Sequence, residues 1–332
     1  MGRLKSVLVL LGMAGMQYGL AQTSSDPVAP QPLPCGLVTS VARPYSLKLV
    51  SFAPTPDQLS GLLLQARFNG GPPLRLLLDS GAAHITLDAR ASSRSNIFAV
   101  LEAHLVGVGE YPRDPVRSGV ASTIDVGSLE FRNCQVDITP HELGEGIDGV
   151  IPMSLFRSFL VRLDLPGKVM DLVPYSDRGA VPPAGFASAT LRDDLLFVRG
   201  ALNNLLQGHI LIDTGACYSA ISLATAQVLR ASRASAVSLR GANGVFNGDL
   251  IGAGIRFDLA GRSITTERVV AVDLSAFSAF NGVDTIGVLG YPALRYSVLT
   301  VNYRDALLRI ETRPKRGSGL ALMADERKAG AN

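Results

Sequence analysis

Leu76-Leu77-Leu78-Asp79-Ser80-Gly81-Ala82 returns 134 residues later as Ile210-Leu211-Ile212-Asp213-Thr214-Gly215-Ala216. In both copies an apolar run ends in Asp, a hydroxyl residue, Gly and Ala. A single copy is weak information, because Asp capping the backbone beside a Gly of positive φ is an ordinary turn. The surroundings repeat as well. Ala66-Arg67-Phe68-Asn69-Gly70 faces Gly200-Ala201-Leu202-Asn203-Asn204, and the same register runs without a gap to Leu87 against Ile221. A second block, residues 147–173 against 285–311, matches at offset 138 and sets Gly149-Val150-Ile151 against Gly287-Val288-Leu289. A repeat of this length is domain-sized, so the chain reads as one lobe duplicated, each copy carrying one Asp.

Composition agrees with two compact lobes. The chain has 332 residues, 47% of them hydrophobic and 18% charged, which excludes a disordered chain. With 34 Gly and 19 Pro, and few long helical patterns, it is expected to be all-β with a few short helices. Each lobe is expected to be a closed, barrel-like unit, with the site in the cleft between the two. Leu62–Phe68 and Leu74–Leu78, joined across Asn69-Gly70-Gly71-Pro72-Pro73, read as a hairpin that delivers Asp79 to a loop. The runs Leu195–Arg199 and Ile210–Ile212 do the same for Asp213, and Met153–Phe159 and Ala224–Ser232 suit short helices.

Residues 1–21 read as a signal peptide: Arg3 and Lys5 precede an uncharged run from Ser6 to Leu20, and Gly19-Leu20-Ala21 offers small residues for cleavage after Ala21. An exported protein, periplasmic or secreted, is expected, with no stable membrane insertion after cleavage; the run is short for a span. Residues 22–44 form a linker or arm, 45–175 the first lobe, 176–186 the interlobe connection, 187–313 the second lobe and 314–332 a flexible tail. The formal net charge is +3, and cleavage removes two positive charges, so nucleic acid is not an expected partner. Cys35, Cys134 and Cys217 lack metal-ligand spacing, as do His84, His104, His141 and His209, so no metal and no cofactor are expected. The odd cysteine count leaves at least one thiol unpaired in an exported chain, and which two pair stays open.

The chemistry this pattern suits is hydrolysis by a carboxyl pair. Two carboxyl groups about 3 Å apart cannot both ionise, so they share one proton and can act together as acid and base. Asp79 and Asp213 are the catalytic candidates. Ser80 and Thr214 offer hydroxyls to hold the loops together, and Gly81 and Gly215 let the backbones approach. Cys217 takes the place of Ala83 and Tyr218 that of His84, which makes His84 a local packing or polar contact rather than a catalyst. Asp148 and Asp284 read as loop residues.

The two Asp-hydroxyl-Gly-Ala loops and the two apolar strands that carry Gly149 and Gly287 resemble the retropepsin-like aspartic proteases in duplicated, single-chain form. The bacterial, exported relatives with two fused lobes are the nearest type. The resemblance covers about 250 residues. It implies an aspartic endopeptidase acting on polypeptides, with the bilobal acid-protease fold and one chain sufficient for a site. It also implies flaps over the substrate at Gly107–Gly119, with Gly109 and Tyr111, and at Gly241–Gly248, with Gly241 and Gly244. The sequence departs from the pattern at Pro152, where the second lobe has Gly290; proline removes a backbone donor, so the first lobe must be built differently there. From another class, a peptide-binding module on the same fold without turnover is the alternative. A precursor with the arm lying in the cleft is compatible with either.

Overall fold

The computed structural model describes residues 7–8, 13–14, 35–53, 61–103, 106–107, 116–175, 184–241 and 244–313. The molecule is mostly strand, with four α-helices of four to seven residues and one 3-10 turn among these residues. In the first lobe the strands Leu129–Thr139, Ile85–Asp88, Gly149–Pro152, Pro73–Asp79, Gly61–Phe68 and Val116–Val126 pair in that order. The last pairs back onto the first, closing a six-stranded barrel. The expected hairpin is there: Gly61–Phe68 and Pro73–Asp79 are antiparallel, with Asn69 and Gly70 turning at φ 49° and 71°.

The second lobe repeats the plan. Leu206–Asp213 lies between Leu195–Leu202 and Thr285–Gly290, and Ser219–Ser222 runs antiparallel to the latter and parallel to Val269–Val272. The two long strands of the first lobe are each broken in two here, as Gly244–Ile251 with Ile255–Leu259 and as Arg262–Thr266 with Val269–Val272. The short helical pieces also fall where expected, at Met153–Phe156 and Leu223–Val228. The latter is capped by the Ser222 hydroxyl accepting from Thr225 N–H.

Three strands from each half join beneath the lobes in a six-stranded run: Ala187–Arg192, Leu307–Thr312, Ser297–Asn302, Leu160–Asp164, Val169–Val173 and Tyr45–Lys48. The halves meet where Val161 pairs with Val301 and Asp164 with Val298. Upstream, Cys35 and Cys134 form a disulfide and Gly36–Leu37 pairs with the strand Leu129–Thr139, so the arm is bound to the first lobe from Cys35 onward. Two short strands nearer the N-terminus, Val7–Leu8 and Met13–Ala14, pair with Leu239–Arg240 and Val106–Gly107.

The Asp-bearing strands are apolar without alternation because both of their faces are covered. Leu76 and Leu78 enter the main core while Leu77 packs with Phe52, Leu63 and Val150 on the other side. Ile210 and Ile212 likewise oppose Leu211. At about 1.5–3 kcal/mol per buried aliphatic side chain, three such residues fix the strand end from which each Asp loop springs.

Candidate active site

Asp79 and Asp213 are the last residues of their strands, and each strand runs parallel to an apolar partner: Pro152 is registered with Asp79 and Gly290 with Asp213. The loops that follow are tied across the lobe interface by four buried hydrogen bonds. Ser80 N–H donates to Thr214 Oγ1 (3.0 Å), and Thr214 N–H donates to Ser80 Oγ (3.0 Å). Ser80 Oγ–H donates to Ile212 O (2.8 Å), and Thr214 Oγ1–H donates to Leu78 O (2.9 Å). Each hydroxyl therefore accepts from the opposite backbone and donates to the carbonyl just before the opposite Asp.

The glycines are needed for space. A Cβ on Gly81 would lie 2.4 Å from Asp213 Cγ, and one on Gly215 would lie 2.3 Å from Asp79 Cγ, so each carboxyl packs on the opposite glycine. Both acids are buried. Gly81 N–H donates to Asp79 Oδ1 (2.6 Å), while Gly215 and Ala216 N–H both donate to Asp213 Oδ1 (2.9 Å each). Burial pushes the Asp79 carboxyl well above the usual carboxylate range, and the charge and hydrogen bond of Asp213 push it the same way; the Gly81 and Gly215 N–H groups oppose this more weakly.

The residues of the expected flaps are placed in part. Gly109 and Tyr111 lie outside the described residues. Gly241 and Gly244 pair with each other at the end of the hairpin formed by Arg233–Gly241 and Gly244–Ile251. Next to them Arg240 donates to Glu142 O (3.2 Å), so this hairpin of the second lobe touches the first. Cys217 is buried, and burial pushes its thiol up to about 12, which leaves it un-ionised and a poor nucleophile.

With this geometry in hand, the comparisons with known proteins are direct. Residues 64–155 match the model of the family described as aspartyl protease. The match falls on the first lobe, the half that carries Asp79. Among solved structures, the crystal structure of aspartic proteinase from Irpex lacteus is similar over 83% of this chain and 99% of that one, with a TM-score of 0.51. At 12% identity that likeness speaks for the fold alone, the bilobal fold of an aspartic proteinase. No curated relative matches the sequence.

Several residues around the candidate site gave no sequence signal. Asp148, read as a loop residue, accepts from Arg75 N–H (2.8 Å) and pairs with Arg94, holding the approach to Gly149. Arg157 of the first lobe pairs with Asp194 of the second. Asp137 is buried on the strand Leu129–Thr139 and accepts from Ser118 Oγ (2.7 Å). Burial raises its carboxyl, while the charge of His84 and the hydrogen bonds of Ser118 and Gln135 work against that rise.

Proposed function

We propose that this chain is an exported aspartic endopeptidase in which Asp79 and Asp213 activate water against a peptide bond. One observation carries the reading: two buried carboxyls, one from each half, each seated on the glycine of the opposite loop. The family match of the first lobe and the aspartic proteinase fold support a peptidase, and the dyad supplies its mechanism. One of the two carboxyls holds the resting proton and the other the charge, the pair titrating as a unit; with the proton on Asp79, Asp213 is the base.

In that state Asp213 takes a proton from the attacking water as its oxygen bonds to the scissile carbon. Asp79 gives its proton to the carbonyl oxygen, forming a neutral tetrahedral diol. The diol collapses as its C–N bond breaks, a hydroxyl proton returns to a carboxylate and the leaving nitrogen gains one. The products are an acid and an amine, and the shared proton is restored. The hairpin that carries Gly241 and Gly244 would cover the substrate.

Export rests on residues 1–21 and is supported by the Cys35–Cys134 disulfide, a bond that persists in oxidising compartments. No helix among the described residues is long and apolar enough to cross a membrane. The test is cleavage of casein from pH 3 to pH 8 by the purified protein, with pepstatin and with Asp79→Asn and Asp213→Asn. Pepstatin-sensitive hydrolysis that drops at least about 10³-fold in either variant is expected, the scale of a lost general acid or base. Peptide binding without product would instead make the chain a binding module on the same fold.

A further inference from the structure

The first lobe holds its arm by a covalent bond where little else holds it. None of residues 35–44 is buried, and only Cys35 and Leu37 rest partly covered on the core. Gly36 and Leu37 pair with Arg132 and Phe131, Val38 N–H donates to Glu130 O (2.8 Å), and Glu130 N–H donates to Thr39 Oγ1 (2.7 Å). Tyr45 O–H adds one bond to Ser40 O (2.7 Å). Hydrogen bonds of this kind contribute about 0.5–1.5 kcal/mol each. The Cys35–Cys134 disulfide is therefore the main fastening of these residues to the strand Leu129–Thr139.

The two ends of that bond are not equally covered. Cys134 is wholly buried in the core. Cys35 is half-buried and stands in the wall of a cavity of about 250 Å³, together with Ala83, His84, Pro152 and Arg157 of the first lobe and Asp194 of the second. A water needs only about 10–15 Å³ of such space, so a small thiol fits as well. Arg157 is exposed, and the cavity reaches solvent on its side. In thiol–disulfide exchange a thiolate attacks one sulfur and expels the other, so access decides which cysteine leaves. Cys217 is no internal attacker: it is buried in the second lobe, and burial pushes its thiol up to about 12.

We propose that Cys35 is a modification site for small thiols, and that exchange there unfastens the arm while the first lobe stays folded. A thiolate enters the cavity and bonds to Cys35 Sγ. The Cys35–Cys134 bond breaks, and its electron pair leaves on Cys134 Sγ, which takes up a proton. The products are a mixed disulfide at Cys35 and a buried thiol at Cys134, a side chain that packs as a small apolar group. With a dithiol, the second thiolate attacks the reagent's own sulfur in the mixed disulfide, and Cys35 leaves as a thiol. Two electrons and two protons have then passed from the dithiol to the protein. The arm is fastened in an oxidising compartment and released in a reducing one. This holds whether or not the chain cleaves peptides.

The experiment exposes the full folded chain to reduced glutathione in native buffer, quenches with acid, alkylates the remaining thiols in urea and maps both groups by mass spectrometry. Glutathione is expected on Cys35 and the alkyl group on Cys134, at a rate that rises linearly with glutathione concentration. Amide protection should fall at Val38 and Glu130, whose N–H groups bond across the arm, while Leu76–Asp79 keep theirs. Ala83→Leu, which fills part of the cavity, should slow the exchange several-fold at an unchanged urea midpoint. An adduct on Cys134, a rate that levels off at that of global unfolding, or no exchange until urea unfolds the chain overturns the proposal. Protection lost equally at Leu76–Asp79 also overturns it, since the lobe would then open with the bond.

Discussion

Pro152 and Gly290 stand at the same step of the repeat, each registered with its lobe's aspartate, yet their neighbours differ. Gly290 N–H donates to Ser219 Oγ (3.1 Å). At the place of Ser219 the first lobe has Ile85, and at the place of Gly290 it has a proline with no N–H. Donor and acceptor have gone together. Removing both partners of a buried hydrogen bond is close to neutral, whereas removing one strands the other. The departure at Pro152 is thus a matched exchange, and it leaves the Asp loops of the two lobes held alike while the strands behind them diverge.

The sharpest way to break this comparison is to move residues between lobes. Gly290→Pro puts a ring where a Cβ already lies 2.2 Å from Tyr218 O and leaves Ser219 without its donor. The expected loss is about 4 kcal/mol in urea denaturation, from the backbone clash plus the stranded hydroxyl. Pro152→Gly should cost only about 1 kcal/mol, through the freer unfolded chain and an N–H facing Ile85. Adding Ile85→Ser to Pro152→Gly should recover part of that cost. If Gly290→Pro is tolerated as easily as Pro152→Gly, the two lobes are not built differently here.

A second asymmetry is covalent. The Cys35–Cys134 disulfide braces the first lobe across 99 residues, while Cys217 of the second lobe is a buried thiol outside any disulfide. Cys35→Ser with Cys134→Ser should lower stability by about 3 kcal/mol, the usual scale for a bridge closing a long loop. Hydrogen exchange should place the loss in the first lobe, and protection lost equally in both would mean that the lobes unfold as one unit. The symmetric part is tested by Ser80→Ala and Thr214→Ala. Each removes one donor and one acceptor from the buried cross-lobe bonds, and each should cost about 2 kcal/mol. Unequal costs would show that one loop holds the other.

What could be read beforehand follows the same division. The repeat in sequence gave the two lobes, the Asp strands and the crossed hydroxyls, because strand register and loop chemistry are local and were written twice. The cavity lined by His84, Pro152 and Arg157 was not legible, since its wall also includes Asp194, a residue 110 positions beyond His84 in the chain. The short helix Ala89–Arg94 also escaped notice. Its cap, Asp88 accepting from Ala91 N–H (2.7 Å), is a single residue at the end of a strand, with no apolar stripe to announce the helix. Asp148 looked like a loop residue because its partners, Arg75 and Arg94, come from distant strand and helix positions.

The smallest expected effect bears on the one place where both lobes act as a single group. Asp79 is held above its ordinary carboxylate value by burial first and by Asp213 second. The native chain therefore keeps this proton more tightly than the unfolded chain, in which an aspartate titrates near about 3.9. Between that value and the raised native value the folded state binds more protons, so stability falls as pH rises through the window. Below the window both states are protonated and the penalty is absent; above it the penalty is complete. Asparagine carries no proton to lose, so Asp79→Asn removes the dependence. Its advantage over the native chain should be absent below the unfolded-state value and grow as pH rises through the window toward pH 7. Urea midpoints at the two ends of the window measure it. A native chain that gains on Asp79→Asn as pH rises would mean that Asp79 is stabilised as a carboxylate, and the shared proton would have to be placed on Asp213.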